Sequence, residues 1–366
     1  MKQGWEYKKF EVCINKTPKP KQVKTEEYNS GTKYPIVSQE DKLISGYYDD
    51  ESYVFHIDSP VVIFGDHTRV LKYIDFDFVV GADGVKIISP KQELNAKFLL
   101  YYLQWYKIPN LGYSRHYKLL KEIQIPLPPK STQLSIVSEL DKINELIRLK
   151  KEQLKYYDNL AQSIFYEMFG DPVENEKGWE VKKLKDISYE IGDGLHGTPE
   201  YTDTYTGCYF INGNNLEDGV IVIKDNTKMV STKTKTMHYI EMDDYTILIS
   251  INGTLGKIAF YNGENVILGK SACYIKLNKE QNKKYIYELL KSKYFKEYAE
   301  AECTGTTIRN VSLKSMRNFP VPIPPLHLQH LFAQRIEQIE HQKSEVTKVI
   351  TDLETLLASR MQHWFE

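Results

Sequence analysis

A proline-led helix that occurs twice constrains this chain more than any other feature of its sequence. Ile125-Pro126-Leu127-Pro128-Pro129 opens onto Ile136, Leu140, Ile143, Ile147, Lys150, Leu154, Tyr157, Ala161, Ile164 and Met168, spaced alternately by four and three. Val321-Pro322-Ile323-Pro324-Pro325 opens onto Phe332, Ile336, Ile339, Lys343, Val346, Ile350, Leu353, Leu357, Arg360 and Trp364, each 196 positions later. A seam sustained over more than four heptads predicts a coiled coil rather than an ordinary surface helix. Consecutive prolines fix φ and supply no N–H, so each leader should be a stiff extended arm. Ser131 or Thr132 should cap the first helix, and Gly170-Asp171-Pro172 should end it.

The repeat extends beyond the helices. Gly4-Trp5-Glu6-Tyr7-Lys8-Lys9-Phe10 matches Gly178-Trp179-Glu180-Val181-Lys182-Lys183-Leu184, and the segment 61–68 lies opposite 247–254. A repeat of this length dictates the architecture: domain, helix, domain, helix. The expected boundaries are 1–122, 123–172, 173–318 and 319–366. Short apolar or alternating runs predict strands at 34–37, 53–57, 61–64, 76–80 and 85–88, with a helix over 96–105. In the second domain they predict strands at 209–212, 219–223, 246–251, 258–261 and 272–277, with a helix over 284–302. The fold class is therefore α+β: two mixed, strand-rich domains separated by two long helices. The helices should pair antiparallel, with one domain at each end and a pseudo-two-fold between the halves. Each spans about 57 Å at 1.5 Å per residue, and the register places Lys343 near Tyr157 and Arg360 near Glu139.

Two related but unequal domains at a set separation suit a target with two parts. Duplex DNA is one, since its strands are related by a local two-fold. In the first domain the candidate contacts are Lys16, Lys19 and Lys21, the turn His67-Thr68-Arg69, and Arg115. In the second they are His196 and Thr198, then Asn212, Asn214 and Asn215. Asn252 and Thr254, Lys233 and Lys235, and Thr306 and Arg309 complete the set. Amides, hydroxyls and guanidinium groups read base edges, while lysine and arginine hold phosphates. The same residue types also build hairpin turns.

The formal net charge of −1 offers no global pull toward nucleic acid, so DNA binding must rest on local patches. No phosphate-cradling glycine loop or dinucleotide fingerprint is present. Glu6-Tyr7-Lys8 and Glu180-Val181-Lys182 have the form of a nuclease tail, but read better as solvated lead-in residues. Four scattered cysteines fit a reducing cytoplasm. No apolar run of membrane-spanning length and no signal-peptide stretch occurs. An intrinsic enzyme is therefore not expected.

These residues carry a resemblance. The starts at Gly4 and Gly178, the loop Asp193-Gly194-Leu195-His196-Gly197-Thr198-Pro199, the proline leaders before Gln133 and Gln329, and the seamed helices resemble the DNA-specificity subunits of Type I restriction-modification systems. Asn15-Lys16-Thr17-Pro18 stands in the first domain where the glycine-rich loop stands in the second. The resemblance implies two target recognition domains reading a bipartite DNA site, and helices that act as a ruler. Two methyltransferase subunits would dock on those helices and motor-nuclease subunits would join. S-adenosylmethionine, ATP and Mg²⁺ would then belong to these partners, and this chain would carry no cofactor. The alternative is a non-enzymatic coiled-coil adaptor joining two protein partners.

Overall fold

A computed structural model of the 366-residue chain describes residues 2, 4–82, 84–112, 114–303 and 309–366. The chain divides into two compact units: Met1–Glu152 with Val346–Glu366, and Gln153–Glu345. Each unit holds one strand-rich domain and part of both long helices, Lys130–Phe169 and Leu326–Phe365.

In unit 1 the core strand Val61–Gly65 is buried at every residue, as its unbroken apolar run demands. It lies between Leu71–Ile74 and Val85–Ile88, antiparallel to both. Among the described residues a second sheet runs in the order Gln22–Val23, Phe78–Gly81, Tyr34–Val37, Gly46–Tyr48, with Val54–Phe55 also on Phe78–Gly81. The helix Ala96–Tyr106 buries Phe98, Leu99, Tyr102 and Leu103 in the core cluster that also takes Ile136, Leu140 and Phe365.

In unit 2 the corresponding strand, Thr246–Ser250, is likewise wholly buried. It sits between Ala272–Leu277 and Ile258–Phe260, with Ser188–Asp193 on the outer edge of Ala272–Leu277. A smaller sheet joins Tyr201–Thr202, Met229–Val230, Tyr209–Ile211 and Val266–Leu268. The expected helix over 284–302 is two helices, Lys283–Lys291 and Lys293–Ala301. Ser292 between them is extended (ψ 164°) and donates its hydroxyl to Leu289 O, which ends the first.

The proline leaders do more than act as stiff arms. Gln124–Leu127 pairs antiparallel with Glu6–Lys9, and Pro320–Ile323 with Glu180–Lys183. A two-stranded ladder tolerates proline because each strand has a free edge. The Glu-x-Lys triplets are thus ladder strands, and Glu6 and Glu180 ion-pair with Lys8 and Lys182. The first long helix begins at Lys130, directly after Pro129, so neither Ser131 nor Thr132 is its cap. Gln133 instead anchors the first turn to the leader and to the domain helix. Its Oε1 accepts from Asn95 N (2.8 Å), and its Nε2 donates to Glu93 O and Pro128 O, both at 2.9 Å. Gln329 repeats this, accepting from Asn282 N (3.0 Å) and donating to Pro324 O (2.9 Å). Asn95 and Asn282 are themselves the caps of the two domain helices. Gly170, at φ +76°, ends the first long helix as expected.

Within each unit the two helical segments run antiparallel. In unit 1 Arg360 and Trp364 hold Glu139, and Lys151 meets Glu354 at 2.7 Å. In unit 2 Lys343 meets Asp158 at 2.8 Å, beside Tyr157. Seam residues Ile136, Leu140, Ile143, Ile147, Phe332, Ile336, Ile339, Val346 and Ile350 are buried. Phe169 and Phe365 lie off the seam yet are equally buried, each inside a ring cluster of its unit. Phe169 packs on Phe165, Tyr285 and Phe332, and Phe365 on Phe98, Tyr102 and Trp105.

Replacing Phe365 by alanine should cost about 3–5 kcal/mol, read as a lowered urea midpoint by circular dichroism. The hydrogen bond from Arg360 holds the Glu139 carboxyl below the ordinary glutamate range, with partial burial opposing it and Trp364 assisting. A depressed carboxylate contributes stability above its unfolded pKa, about 4.3, and loses it as pH falls through the lower folded value. Thermal melts between about pH 6 and pH 3 should therefore fall more steeply for the native chain than for Glu139→Gln.

Candidate nucleic-acid interface

Unit 1 carries a cleft of about 400 Å³ lined by Thr17, Lys19, Gln22, Asp66, Lys86, Arg115 and Tyr117, among others. The loop bearing Arg115 is held by the buried His116 next to it. Its Nε2 accepts from Leu111 N (3.0 Å), so Nδ1 carries the proton and donates to Asp66 O (2.9 Å). Asp66 accepts Tyr117 N at 2.8 Å and lies 3.7 Å from Lys86. That carboxylate is buried and partly balanced, whereas Lys19 and Arg115 are exposed and make no ion pair among the described residues. The cleft is basic although the chain is neutral overall.

The other unit 1 candidates divide differently. Lys16 is exposed at the edge of the same segment. Lys21 turns to Ser52 Oγ (3.0 Å) and over the Tyr53 ring (5.0 Å). His67, Thr68 and Arg69 do not line the cleft. Thr68 bonds Gln39 O at 2.7 Å, and Arg69, at φ +64°, donates to Ile108 O at 3.1 Å. These bonds shape a turn, the role in which such residues most often occur. Lys86 belongs to the cleft but sits in an apolar strand run that offers no binding motif to a sequence reading.

Unit 2 has a polar cavity of about 450 Å³ lined by Tyr201, Phe210, Asn212, Asn214, Asn215, Lys224, Asn226, Thr227 and Lys228. Gly213 sets its loop against the core, since a Cβ there would lie 2.7 Å from Ser250 Cβ. Asn212 Oδ1 accepts Asn214 N (2.9 Å). Asn215 is buried, and its Nδ2 donates to Val222 O (2.9 Å) and Thr227 Oγ1 (3.2 Å), while its Oδ1 accepts Asn212 N. Asn215 therefore holds the loop and has no group left for a base, a correction to its place among the candidate contacts. Asn226 and Tyr201 escaped the sequence reading because neither belongs to a repeat or a charge cluster.

The remaining candidates lie in two further places. Thr254 and Arg309 share a cleft of about 360 Å³ with Lys296. Gly253 N donates to Arg309 O, Asn252 and Asn310 form a bridge, and Arg309 pairs with Glu300 at 3.4 Å. Thr306 lies outside the described residues. Lys233 and Lys235 ride the helix Thr232–His238, capped by Ser231, and do not line the asparagine cavity. His196 is exposed, 2.8 Å from Asp193 Oδ2, and Thr198 is exposed two residues on. Among the described residues no group of three His, Cys, Asp or Glu could hold a metal ion, and no helix is long and apolar enough to cross a membrane.

A family model described as the Type I restriction modification DNA specificity domain matches residues 2–156 and again 176–355. The EcoR124I/EcoR124II specificity subunit of Escherichia coli is 23% identical over 381 residues, covering 93% of this chain and 87% of the relative. The MjaVIII specificity subunit of Methanocaldococcus jannaschii is 23% identical over 256 residues, covering 61% of this chain. The chain spans less than two thirds of the length of two M. jannaschii relatives, 66% of one and 57% of the other. A Type I restriction-modification S subunit from M. genitalium shares the fold at a TM-score of 0.55 and 17% identity, covering 99% and 96% of the two chains. A structure from a type I restriction-modification assembly aligns at 0.59 and 17% identity, covering 99% and 98%.

Asn215→Ala would strand Val222 O and the Asn212 N–H inside the loop, and should cost about 1–3 kcal/mol by chemical denaturation. The Asn214 side chain makes no hydrogen bond among the described residues, so Asn214→Ala should stay within about 0.5 kcal/mol of the native chain.

Proposed function

The chain belongs to the Type I restriction-modification DNA specificity family, and on that footing we propose that it reads a bipartite duplex DNA target for partner subunits that carry out the chemistry. The observation that supports this best is the duplication itself. Each repeat pairs a strand-rich domain carrying a polar or basic cleft with a long helix held by the same buried glutamine. In this reading each domain recognises one half-site, and the helices set the gap between them. The chain is not itself catalytic and has no cofactor of its own, while S-adenosylmethionine, ATP and Mg²⁺ act on the partners.

Methyltransferase subunits would dock on the helices. In unit 1 Leu146, Leu149, Val349 and Leu356 are exposed on them, and in unit 2 Tyr156, Leu160 and Leu331. Large apolar side chains on an outer helix face suit a protein partner, and motor-nuclease subunits would join that assembly. Such a complex works on chromosomal DNA in the cytoplasm.

Exchange of residues 1–122 for the corresponding domain of another specificity subunit should alter one half of the recognised sequence and leave the other intact. Methylation-motif sequencing of the host DNA reads this directly, and a change in both halves would contradict the reading. Lengthening both helices by one heptad should widen the gap between half-sites. Lys19→Ala and Arg115→Ala should each weaken binding evenly across sequences and lower the slope of log K against log salt by about one. A protein adaptor would show no such dependence on DNA.

A further inference from the structure

We propose that the asparagine cavity of unit 2 recognises adenine in the major groove, through the carboxamides of Asn214 and Asn226, with Lys228 holding an adjacent phosphate. This rests on the DNA-reading function proposed above and names the residues and base on which the second domain's specificity turns.

The four asparagines of the cavity fall into two classes. Asn212 uses its Oδ1 on Asn214 N, and Asn215 uses both ends of its amide on protein groups. The side chains of Asn214 and Asn226 make no hydrogen bond among the described residues, and both residues are exposed at the cavity. Asn215 also fixes the two loops relative to each other. Its Nδ2 reaches Thr227, whose Oγ1 accepts Lys224 N (2.9 Å) and whose N–H donates to Lys224 O (2.8 Å). The turn closed by these bonds presents Asn226, while the 212–215 loop presents Asn214. The unoccupied carboxamides thus stand on a backbone that is already ordered, which lowers the entropic cost of recognition.

A carboxamide places one donor and one acceptor side by side. Adenine offers the complement in the major groove, an N7 acceptor beside an N6 donor, whereas guanine presents two acceptors and calls for arginine or lysine. The cation of the site is placed elsewhere. Lys228 lies over the Tyr201 ring at 4.8 Å, and Tyr201 rests edge-on against Phe210. Lys224 is neutralised by Glu217 at 2.5 Å, but Lys228 has no ion pair among the described residues. An aromatic ring under a flexible ammonium restricts it without removing its charge, the arrangement a phosphate contact needs.

The test is selection of randomised duplexes by the full chain and its variants, followed by affinity measurements over a range of salt. Asn214→Ala and Asn226→Ala should relax the sequence at an A·T pair in one half-site and weaken binding to the preferred duplex about 5- to 150-fold. Lys228→Ala should keep the selected sequence and lower the salt slope by about one. If both asparagine variants enrich the native sequence, or relax it at a G·C pair instead, the assignment is overturned while the DNA-reading function stands. If the unaltered chain enriches no sequence at all, both are overturned. All three positions are exposed, and matching circular dichroism melts would confirm that the variants fold.

Discussion

One buried glutamine ties each long helix to the domain before it. Gln133 and Gln329 sit in the first turn after a proline pair, where backbone groups have no helical partners. Each carboxamide engages one leader carbonyl, Pro128 O or Pro324 O, on one side and the N-cap residue of a domain helix on the other. A buried amide bonded at both ends is directional in a way apolar packing is not. The helix direction is therefore set by the domain rather than by the leader alone. The leader–start ladders close the base of each domain, and Phe365 and Phe169 bury the far ends of the helices in ring clusters.

The same separation between holding and reaching recurs in the polar clefts. His116, Asp66 and Asn215 are buried and bonded, and they place neighbours that are exposed and whose side chains make no hydrogen bond among the described residues. Arg115 follows from His116, and Asn214 and Asn226 from Asn215. Net charge misleads for this chain because acids and bases balance over 366 residues, while in the clefts Lys19, Arg115 and Lys228 have no ion pair among the described residues. Local potential within about one Debye length governs contact with a polyanion.

Much of the architecture was legible because periodicity and duplication are properties of the chain order. The seam foretold the burial of Ile136, Leu140, Ile143 and Ile147 and of Phe332, Ile336, Ile339, Val346 and Ile350. Its register foretold that Arg360 meets Glu139, while Lys343 reaches Asp158, one residue from the expected Tyr157. Strands such as Tyr34–Val37, Val85–Ile88 and Ala272–Leu277 fell on the short apolar or alternating runs. Less legible was anything that depends on a partner distant in sequence. The break at Ser292 interrupts a good helical pattern, and Gln133 anchors the first long helix through partners some forty residues away.

What the sequence determined alone was the order of domains and helices, the apolar stripes, and the residue types able to meet DNA. Each follows from spacing, which a linear chain carries whole. Only the tertiary structure decided which of those polar groups remain available. Asn214 and Asn215 are chemically identical neighbours, and one is exposed while the other is buried and fully bonded. Hydrogen bonding saturates a side chain, and whether it is saturated depends on what folding brings within 3 Å of it.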